Sequence, residues 1–538
     1  MSYFRVIYRE MHGSVARFVL MSALGGIGNA AILATINSAT AAGRDFPDFL
    51  NPSLFLLSLI VFIITQRYVL IVTTGELEAI IHRIRVRLLD EVRRVELSTL
   101  ENVGRTELVV AITKDMATLA QAANVLAFGA QGVVLVASVS LYVAYLSPIG
   151  FALSATIVGT VAVLFHSRNR TLADGMQNTA DRENRLFDRV QDLLEGFKEV
   201  KLNSARSNDL MQDINEVSHQ AMDFKVRALS ENLKRVIFSQ SSLYVLLGAI
   251  VFVVPILSSS AGHETTAKNT TALLFIVGTC FGLMNSFSML TSANAAAERI
   301  ERLEARLRST VVVPTSQKQV PRRCFNRIEL RNVVFHYPHR QSEVGFQIGP
   351  IDFTLESGDL VFITGGNGSG KSSFMKVLSG LYTPVSGAIN LDGIRIEENS
   401  RQNYRELMAA VFSDYHLFHR LYGISNRDQQ EAGHLLTELE LRGKIRLGEA
   451  EFDTLDLSSG QRKRLALLVA LLERRPILLL DEWTANQAPE YRSKFYRDLL
   501  PVLRKSGLTI VLVTHDDRYL DELGPAVRRL QMDEGRFV

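Results

Sequence analysis

A glycine-rich loop lies between an apolar run and a helical pattern, and it ends on a lysine and a serine. The loop fits the spacing G-x-x-x-x-G-K-[ST], in which only glycine lets backbone N–H groups come close to phosphate oxygens. We expect Lys371 to neutralise the β- and γ-phosphates of ATP, and the Ser372 hydroxyl to bind Mg²⁺. An ordinary Gly/Ser turn is the alternative. The expected phosphate-binding residues are Gly365, Asn367, Gly368, Ser369, Gly370, Lys371, Ser372 and Ser373.

Two carboxylates and a histidine follow later apolar runs. The run PILLLDE ends on Asp481, which we expect to hold Mg²⁺ through water, and on Glu482, which can polarise the water that attacks the γ-phosphate. His515 follows the strand pattern Leu508–Thr514, and we expect it to contact the γ-phosphate. A single histidine at a strand end is more often structural, but its order after the phosphate loop and the acidic pair favours catalysis.

Each of these residues follows a strand pattern, which predicts an α/β domain over residues 326–538. Tyr337 lies near the end of the first strand pattern, ahead of the phosphate loop. Its ring could stack on adenine, and a core or edge aromatic is the alternative. The sequence therefore predicts a P-loop nucleotide-binding domain at the carboxyl-terminal end.

Length and composition indicate that the chain has at least one domain besides the nucleotide-binding domain. At 538 residues the chain is too long for one domain, and 47% of its residues are hydrophobic. A net charge of +3 is too small to indicate nucleic-acid binding, and the two cysteines have no metal-ligand or disulfide spacing. The excess of apolar residues falls before the polar, proline-containing stretch at 309–325, which we interpret as a linker.

Apolar segments of roughly membrane-spanning length fill residues 1–308. They are Val15–Ile36, Leu54–Val72, Val125–Leu146, Phe151–Phe165, Val236–Leu257 and Thr271–Leu290. This pattern predicts an α-helical membrane domain with six transmembrane helices. The fourth segment is short, and the tight turn before it favours a transmembrane hairpin with the third.

Lysine and arginine cluster on one side of these segments, which predicts that both termini lie in the cytoplasm. The same bias places two long loops, Thr73–Asn124 and His166–Arg235, on the cytoplasmic side, and we interpret them as helices that continue beyond the membrane. Within the second loop, Glu195–Lys201 is either a turn presented to another domain or a solvated charged face.

The stretch Leu457–Ala466, LSSGQRKRLA, completes a set of motifs that resembles the ATP-binding cassette (ABC) transporter family. Phosphate loop, signature, acidic pair and histidine occur in that family's order, and the six apolar segments resemble its exporter-type membrane domain. The resemblance implies that Ser458, Ser459, Gly460 and Gln461 contact the ATP held by another subunit. It therefore implies a homodimer with two shared nucleotide sites.

Three positions depart from the family pattern. Ser413 stands where a glutamine usually links the nucleotide to the membrane loops, and the neighbouring Asp414 could reach the metal. Ala488 replaces a usual aspartate, and Trp483 replaces a usual proline. The first two changes bear on how tightly hydrolysis is tied to cargo movement.

The phrases VFSDYHLF, DEW and FQIGPID are similar to those of bacterial exporters of cyclic peptides and siderophores, of the pyoverdine and syringomycin type. The expectation is an inner-membrane ATPase that exports an amphipathic, peptide-like compound by alternating access. A broad drug or lipid exporter on the same fold is one alternative. A sensor that signals by nucleotide binding without transport is another, and the intact Lys371, Asp481, Glu482 and His515 argue against it.

Overall fold

A computed structural model gives the structure of the chain. It describes residues 2–10, 15–41, 50–148, 151–152, 154–156, 159, 185–252, 263–309, 324–337, 346–424, 429–448, 451–523 and 527–538. The chain divides into two compact units, of which the first comprises Met1–Asp90 and Arg105–Arg306. The second comprises Glu91–Gly104 and Leu307–Val538, so it includes a short segment from within the predicted membrane domain.

The first unit is helical. Its helices, together with α4 of the second unit, are α1 (Ser2–Glu10), α2 (Val15–Ala41), α3 (Leu50–Arg94), α4 (Leu97–Val103), α5 (Arg105–Val110), α6 (Met116–Leu146), α7 (Phe197–Leu202), α8 (Ser204–Phe252) and α9 (His263–Ser309). A π-helical turn, Ala111–Asp115, joins α5 to α6, and residues 185–195 are also helical. The last turn of α3 and the end of α9 reach into the second unit.

Among the described residues, three helical stretches are long and apolar enough to cross a bilayer. They are Arg17–Ala39, Asn51–Arg94 and Phe128–Leu146, and they contain or overlap the first three predicted segments. A shorter apolar stretch, Ala267–Leu283, overlaps the sixth. The fifth lies in α8 as far as Phe252, whereas most of the fourth and most of the predicted linker lie outside the described residues.

Close helix contacts hold this unit together. A Cβ at Gly26 would lie 2.7 Å from the Val134 side chain, so glycine lets α2 approach α6. A buried apolar cluster continues from these two helices into α8 and α9, with Leu33, Leu135, Val139, Leu243, Leu246, Leu273 and Ile276 among its members. Nearer the ends of the long helices, the Arg87 guanidinium donates to Glu10 of α1 and, at 3.2 Å, to Glu304 of α9.

The helix α7 overlaps the stretch Glu195–Lys201, which we predicted as either a docking turn or a solvated face, and extends one residue beyond it. It buries none of its residues, and the side chains of Phe197 and Leu202 are 56% and 88% exposed. Exposed apolar side chains at both ends fit a docking turn better than a purely charged face. The docking role remains a prediction.

The second unit is α/β. Its elements are β1 (Arg327–His336), β2 (Gln347–Glu356), β3 (Leu360–Thr364), α10 (Lys371–Leu378), β4 (Ser386–Leu391), β5 (Ile394–Arg395), α11 (Glu398–Arg405), β6 (Met408–Val411), α12 (Gln429–Glu438), α13 (Ser459–Leu472), β7 (Ile477–Asp481), α14 (Pro489–Lys494), α15 (Leu500–Lys505), β8 (Thr509–Val513), α16 (Asp517–Glu522), β9 (Arg528–Asp533) and β10 (Arg536–Phe537). A π-helical segment, Phe495–Leu499, joins α14 to α15.

The strands form two sheets. An antiparallel sheet has the order β2–β1–β4–β5, and the other sheet has the order β10–β9–β3–β8–β7–β6. In the second sheet β3 lies between the parallel strands β8 and β9, and β7 pairs with β8. Phe362 of β3 joins the apolar cluster on one face, and Val361 and Ile363 join the cluster on the other. Parallel strands buried on both faces bring the loops after β3, β7 and β8 to one edge, where a ligand site is expected.

Candidate nucleotide site

The phosphate loop joins β3 to α10 and is shaped by glycines in the left-handed region. Gly365, Gly368 and Gly370 have φ values of +145°, +79° and +104°. A Cβ at Gly365 would lie 2.2 Å from the Met532 carbonyl oxygen, so only glycine fits there. The ammonium of Lys371 donates to the carbonyl oxygens of Gly365 at 3.0 Å and of Gly366 at 2.7 Å. The lysine is thus held over the loop that it is predicted to serve.

The carboxyl-terminal hairpin of β9 and β10 braces this loop. The Gly535 N–H donates to the Ser369 carbonyl at 2.9 Å, and the Gly349 N–H donates to the Gly535 carbonyl at 2.9 Å. Gly535 has a φ of +80°, and a Cβ there would lie 2.3 Å from the Gln347 carbonyl oxygen. The hairpin therefore ties β2 to the phosphate loop, an arrangement that the sequence patterns did not predict.

The predicted metal ligands Ser372 and Asp481 meet at the start of α10. The Asp481 Oδ2 accepts a hydrogen bond from the Ser413 N–H at 3.4 Å, and the Ser372 hydroxyl is among the neighbours that lower the pKa of this carboxyl group. Burial raises the pKa of Asp481, and the bonds from Ser372 and Ser413 counteract that rise. Its other oxygen, Oδ1, is buried and lacks a hydrogen-bond partner in the described part of the chain.

A buried carboxylate oxygen with an unused lone pair beside a hydroxyl fits Mg²⁺, which prefers oxygen ligands. Asp414 is exposed, and the residues that lower the pKa of Asp481 are Ser372 and Ser413. Asp414 as a metal ligand therefore remains a prediction. Ser413 contributes its backbone and its side chain to Asp481, although it is too short to act as the glutamine it replaces.

The predicted catalytic pair lies at the ends of neighbouring strands. Glu482 follows β7 and His515 lies two residues beyond β8, so parallel pairing of these strands brings the two side chains together. The His515 Nε2 lies 3.3 Å from the Glu482 Oε1, and the two side chains are 48% and 34% exposed. Glu482 has a left-handed backbone with a φ of +48°. Partial exposure leaves both groups accessible to a water molecule and a phosphate.

A buried lysine lies beneath this pair. The Lys463 ammonium donates to the Glu482 backbone carbonyl at 2.8 Å, and the Trp483 indole N–H donates to the Lys463 carbonyl at 2.8 Å. Burial lowers the pKa of Lys463, and the carboxylates of Glu482 and Asp481 counteract that shift. Neither contact was predicted from the sequence, where Trp483 was noted only as a departure from the family pattern.

A buried tyrosine joins the two catalytic loops. The Tyr496 hydroxyl lies 2.8 Å from the Thr514 Oγ1 and 3.3 Å from the Thr484 Oγ1, and it donates to the Asp516 Oδ2 at 3.3 Å. Thr484 follows Glu482 by two residues, and Thr514 and Asp516 flank His515. Tyr496 therefore fixes the loop after β7 relative to the loop after β8.

Two aromatic rings lie beside the phosphate loop. The Tyr337 hydroxyl lies 2.6 Å from the Ser373 Oγ, and its ring meets Tyr382 edge-on at a centroid distance of 5.6 Å. Tyr337 is thus partly packed against the core in this structure, and stacking of its ring on adenine remains a prediction. Phe346 was not predicted as a site residue. Its exposed ring lies against Gly370, where an added Cβ would be 3.2 Å from the Phe346 Cζ.

The signature residues begin α13. Ser458 caps the helix, since its side chain accepts from the Gln461 N–H and its own N–H donates to the Gln461 Oε1 at 3.0 Å. Ser458 and Ser459 are exposed. Gly460 is tied to the loop after β7, because the Gln487 Nε2 donates to its carbonyl at 3.0 Å. These contacts link the signature to the loop after β7 of its own chain and leave Ser458 and Ser459 at the surface.

The segment 91–104 contacts the nucleotide-binding fold within the same compact unit. The Arg401 guanidinium donates to Glu96 and to the Thr383 Oγ1, and the Tyr382 hydroxyl donates to the Glu101 Oε2 at 2.8 Å. Lys376 of α10 lies 3.4 Å from the other oxygen of Glu101. Since Tyr382 also touches Tyr337, these contacts lead from the segment to the phosphate-loop helix.

Known proteins similar to this chain identify its family. The family model described as ABC transporter matches residues 348–485, from β2 through the catalytic loop. The ATP-binding protein SyrD of Pseudomonas syringae pv. syringae is 34% identical over 466 residues, which is 82% of this chain and 80% of that protein. An ATP-dependent lipid A-core flippase of Haemophilus ducreyi is 26% identical over 426 residues, covering 74% of this chain and 69% of the flippase.

The fold is also found in a solved structure, that of a bacterial Atm1-family ABC exporter with ATP bound. The two agree with a TM-score of 0.77 at 19% identity, over 99% of this chain and 94% of the exporter. The predicted fold class, a helical exporter-type membrane domain followed by an α/β P-loop domain, is thereby confirmed. The chain belongs to the ABC transporter family, as an exporter half-transporter whose ATPase activity is coupled to transport.

Proposed function

We propose that two copies of the chain form a homodimer that exports a peptide-like compound across the bacterial inner membrane. The placement of the signature is the observation that supports a dimer. Ser458 and Ser459 are exposed at the start of α13, whereas the phosphate loop of the same chain joins β3 to α10. A helix start with free N–H groups at the surface suits a γ-phosphate presented by a second copy. The proposal also places both termini in the cytoplasm, on the basis of the lysine and arginine bias.

In the proposed cycle, each phosphate loop holds ATP and the partner subunit's Ser458 and Gly460 contact its γ-phosphate. ATP must favour the closed dimer by about 5 kcal/mol to swing a two-state equilibrium almost completely. Glu482 polarises the attacking water and His515 contacts the γ-phosphate. When bound by Ser372 and Asp481, Mg²⁺ supplies positive charge to the β- and γ-phosphates. Hydrolysis then releases the contact between subunits.

The segment 91–104 is proposed to carry closure toward the membrane helices. Ser413 cannot span the distance that a glutamine would, so a second connection is needed. The ion pair of Arg401 with Glu96 and the bond of Tyr382 to Glu101 supply one within the described residues. Because Tyr382 touches Tyr337, a nucleotide that draws Tyr337 onto its adenine would alter the environment of Glu101.

A peptide-like cargo is supported by the similarity to SyrD over most of both chains and by the phrases VFSDYHLF, DEW and FQIGPID. Export of a lipid is the second candidate, favoured by the flippase relatives at 26–28% identity.

The two candidate cargoes can be distinguished by the compound that a deletion strain retains. A deletion strain should keep a peptide-like compound that its parent secretes, and wild-type protein should restore secretion whereas Glu482→Gln should not. Unchanged secreted peptides with altered envelope lipids would contradict the peptide assignment.

A further inference from the structure

Lys463 is a buried lysine whose ammonium reaches the backbone of the predicted general base. Its side chain belongs to α13, the residue is 8% exposed, and its Nζ lies 2.8 Å from the Glu482 carbonyl oxygen. The same carbonyl accepts the Ala485 N–H at 3.1 Å. A buried ammonium is costly unless it is paired or hydrogen-bonded, so its place directly beneath the base calls for a role beyond packing.

The backbone of Glu482 is strained. Its φ of +48° lies in the left-handed region, which residues with a side chain rarely adopt. Such conformations persist where neighbouring contacts over-determine them, and they gather at functional sites. Here the Glu482 N–H donates to the Val513 carbonyl at 3.1 Å, and its carbonyl receives the bonds from Lys463 and Ala485. The Lys463 bond comes from a side chain and can be removed by substitution.

Trp483 in turn hydrogen-bonds to the backbone of Lys463. Its indole N–H donates to the Lys463 carbonyl at 2.8 Å, and its ring is fully buried against Phe495 at a centroid distance of 4.5 Å. Lys463 thus holds the backbone before Trp483, while Trp483 holds the backbone of Lys463. We call these two reciprocal hydrogen bonds the Lys463–Trp483 latch.

We propose that the Lys463–Trp483 latch positions Glu482 for catalysis. It holds the left-handed backbone of Glu482, which aims the carboxylate toward His515, whose Nε2 lies 3.3 Å from it. Lys463 is a positioning residue: it contacts the Glu482 carbonyl and not the reacting water or phosphate. This inference rests on the proposed role of Glu482 as general base.

The latch predicts a selective loss of turnover. In full-length protein in nanodiscs, Lys463→Met should lower kcat about tenfold or more, since a buried hydrogen bond to a strained group is lost. The Kd of a fluorescent ATP analogue should stay near wild type, because the phosphate loop is untouched. Trp483→Phe, which keeps a buried ring but removes the N–H, should lower kcat in the same way. Lys505→Met, at an exposed lysine, serves as the control and should leave kcat unchanged.

Mixed dimers assign the effect to one chain. In a dimer of Ser458→Arg and Lys371→Ala subunits, the Ser458→Arg chain supplies the Glu482 of the remaining intact site. Lys463→Met should lower turnover when placed in that chain and leave it unchanged in the other. Homodimer kcat values within twofold of wild type for both latch variants, or equal losses from the two placements, would overturn the proposal. Near-wild-type turnover of Glu482→Gln would instead overturn the proposed base itself.

Discussion

The His515 imidazole and the Glu482 carboxylate lie 3.3 Å apart, each just beyond a strand of the same pair in the parallel sheet. Neither side chain is fully buried, so a water molecule can reach both. A carboxylate near a γ-phosphate polarises that water, and the imidazole can hold the carboxylate or contact the phosphate. This separation fits the proposed roles of Glu482 as general base and of His515 as a contact to the γ-phosphate.

Replacing Glu482 by Gln should slow ATP hydrolysis by roughly a hundredfold or more, because an amide is a far weaker general base than a carboxylate. Binding of a fluorescent ATP analogue should be retained, since the phosphate loop is untouched. Steady-state turnover and analogue binding, measured on the same nanodisc preparation, separate the two effects. Turnover near that of the wild type would remove Glu482 from the role of base.

Replacing Tyr496 by Phe should loosen the two catalytic loops while leaving their backbones intact. Its buried hydroxyl bridges Thr484 and Thr514, and its loss takes a partner from the buried Thr484 hydroxyl at a cost of about 1–3 kcal/mol. We expect a lower Tm and a lower kcat with little change in the KM for ATP. Tyr422→Phe, which removes the hydroxyl of a side chain that is 70% exposed, is the matched control. Equal effects of the two substitutions would contradict this role.

Replacing Gly535 by Ala should weaken nucleotide binding through the hairpin that braces the phosphate loop. The added Cβ would lie 2.3 Å from the Gln347 carbonyl oxygen, so the Gly535 N–H must move away from Ser369. Gly507→Ala is a precise control, since Gly507 has a similar φ of +85° but open space at its Cβ. The Kd of the ATP analogue should rise for the first variant and not for the second. An equal rise in both would assign the effect to backbone strain alone.

Replacing Glu101 by Gln, alone or with Glu96→Gln, should separate hydrolysis from export. The substitution weakens the charge-assisted contacts of Glu101 with Lys376 and Tyr382 and leaves the phosphate loop and Glu482 intact. We expect purified protein to hydrolyse ATP near the wild-type basal rate, while a deletion strain carrying the variant still retains the exported compound. Glu451→Gln, at an exposed glutamate, should restore secretion. Full secretion by the Glu101 and Glu96 variants would refute this connection.

Local sequence patterns predicted the fold class and the order of the nucleotide-site elements, because the phosphate loop, the acidic pair and the histidine each follow a strand pattern. The pairing of β7 with β8 then brings Glu482 to His515 without further information. Contacts between residues far apart in the chain were not predictable in this way. In the sequence, Lys463 has the pattern of an ordinary helix cation and Gly535 that of a turn glycine. Only the fold shows that they contact Glu482 and Ser369.

The cargo was not predictable for a related reason. A path between helices is lined by residues that lie far apart in the chain, and no local spacing marks them. Trp483 shows the opposite case, since its departure from the family pattern was visible in the sequence. Its reason, a hydrogen bond to the Lys463 carbonyl, required the three-dimensional contact.

In the proposed dimer, two copies of the chain complete each other's ATP sites. Subunits carrying Lys371→Ala lack the phosphate-binding lysine, and subunits carrying Ser458→Arg block the signature. Each variant alone forms homodimers with two defective sites, whereas a mixed dimer keeps one phosphate loop facing one intact signature. The decisive measurement is the ATPase rate of purified mixed dimers. We predict recovery of a substantial fraction of wild-type activity. Mixed dimers no more active than either homodimer would contradict the sharing of ATP sites between two copies.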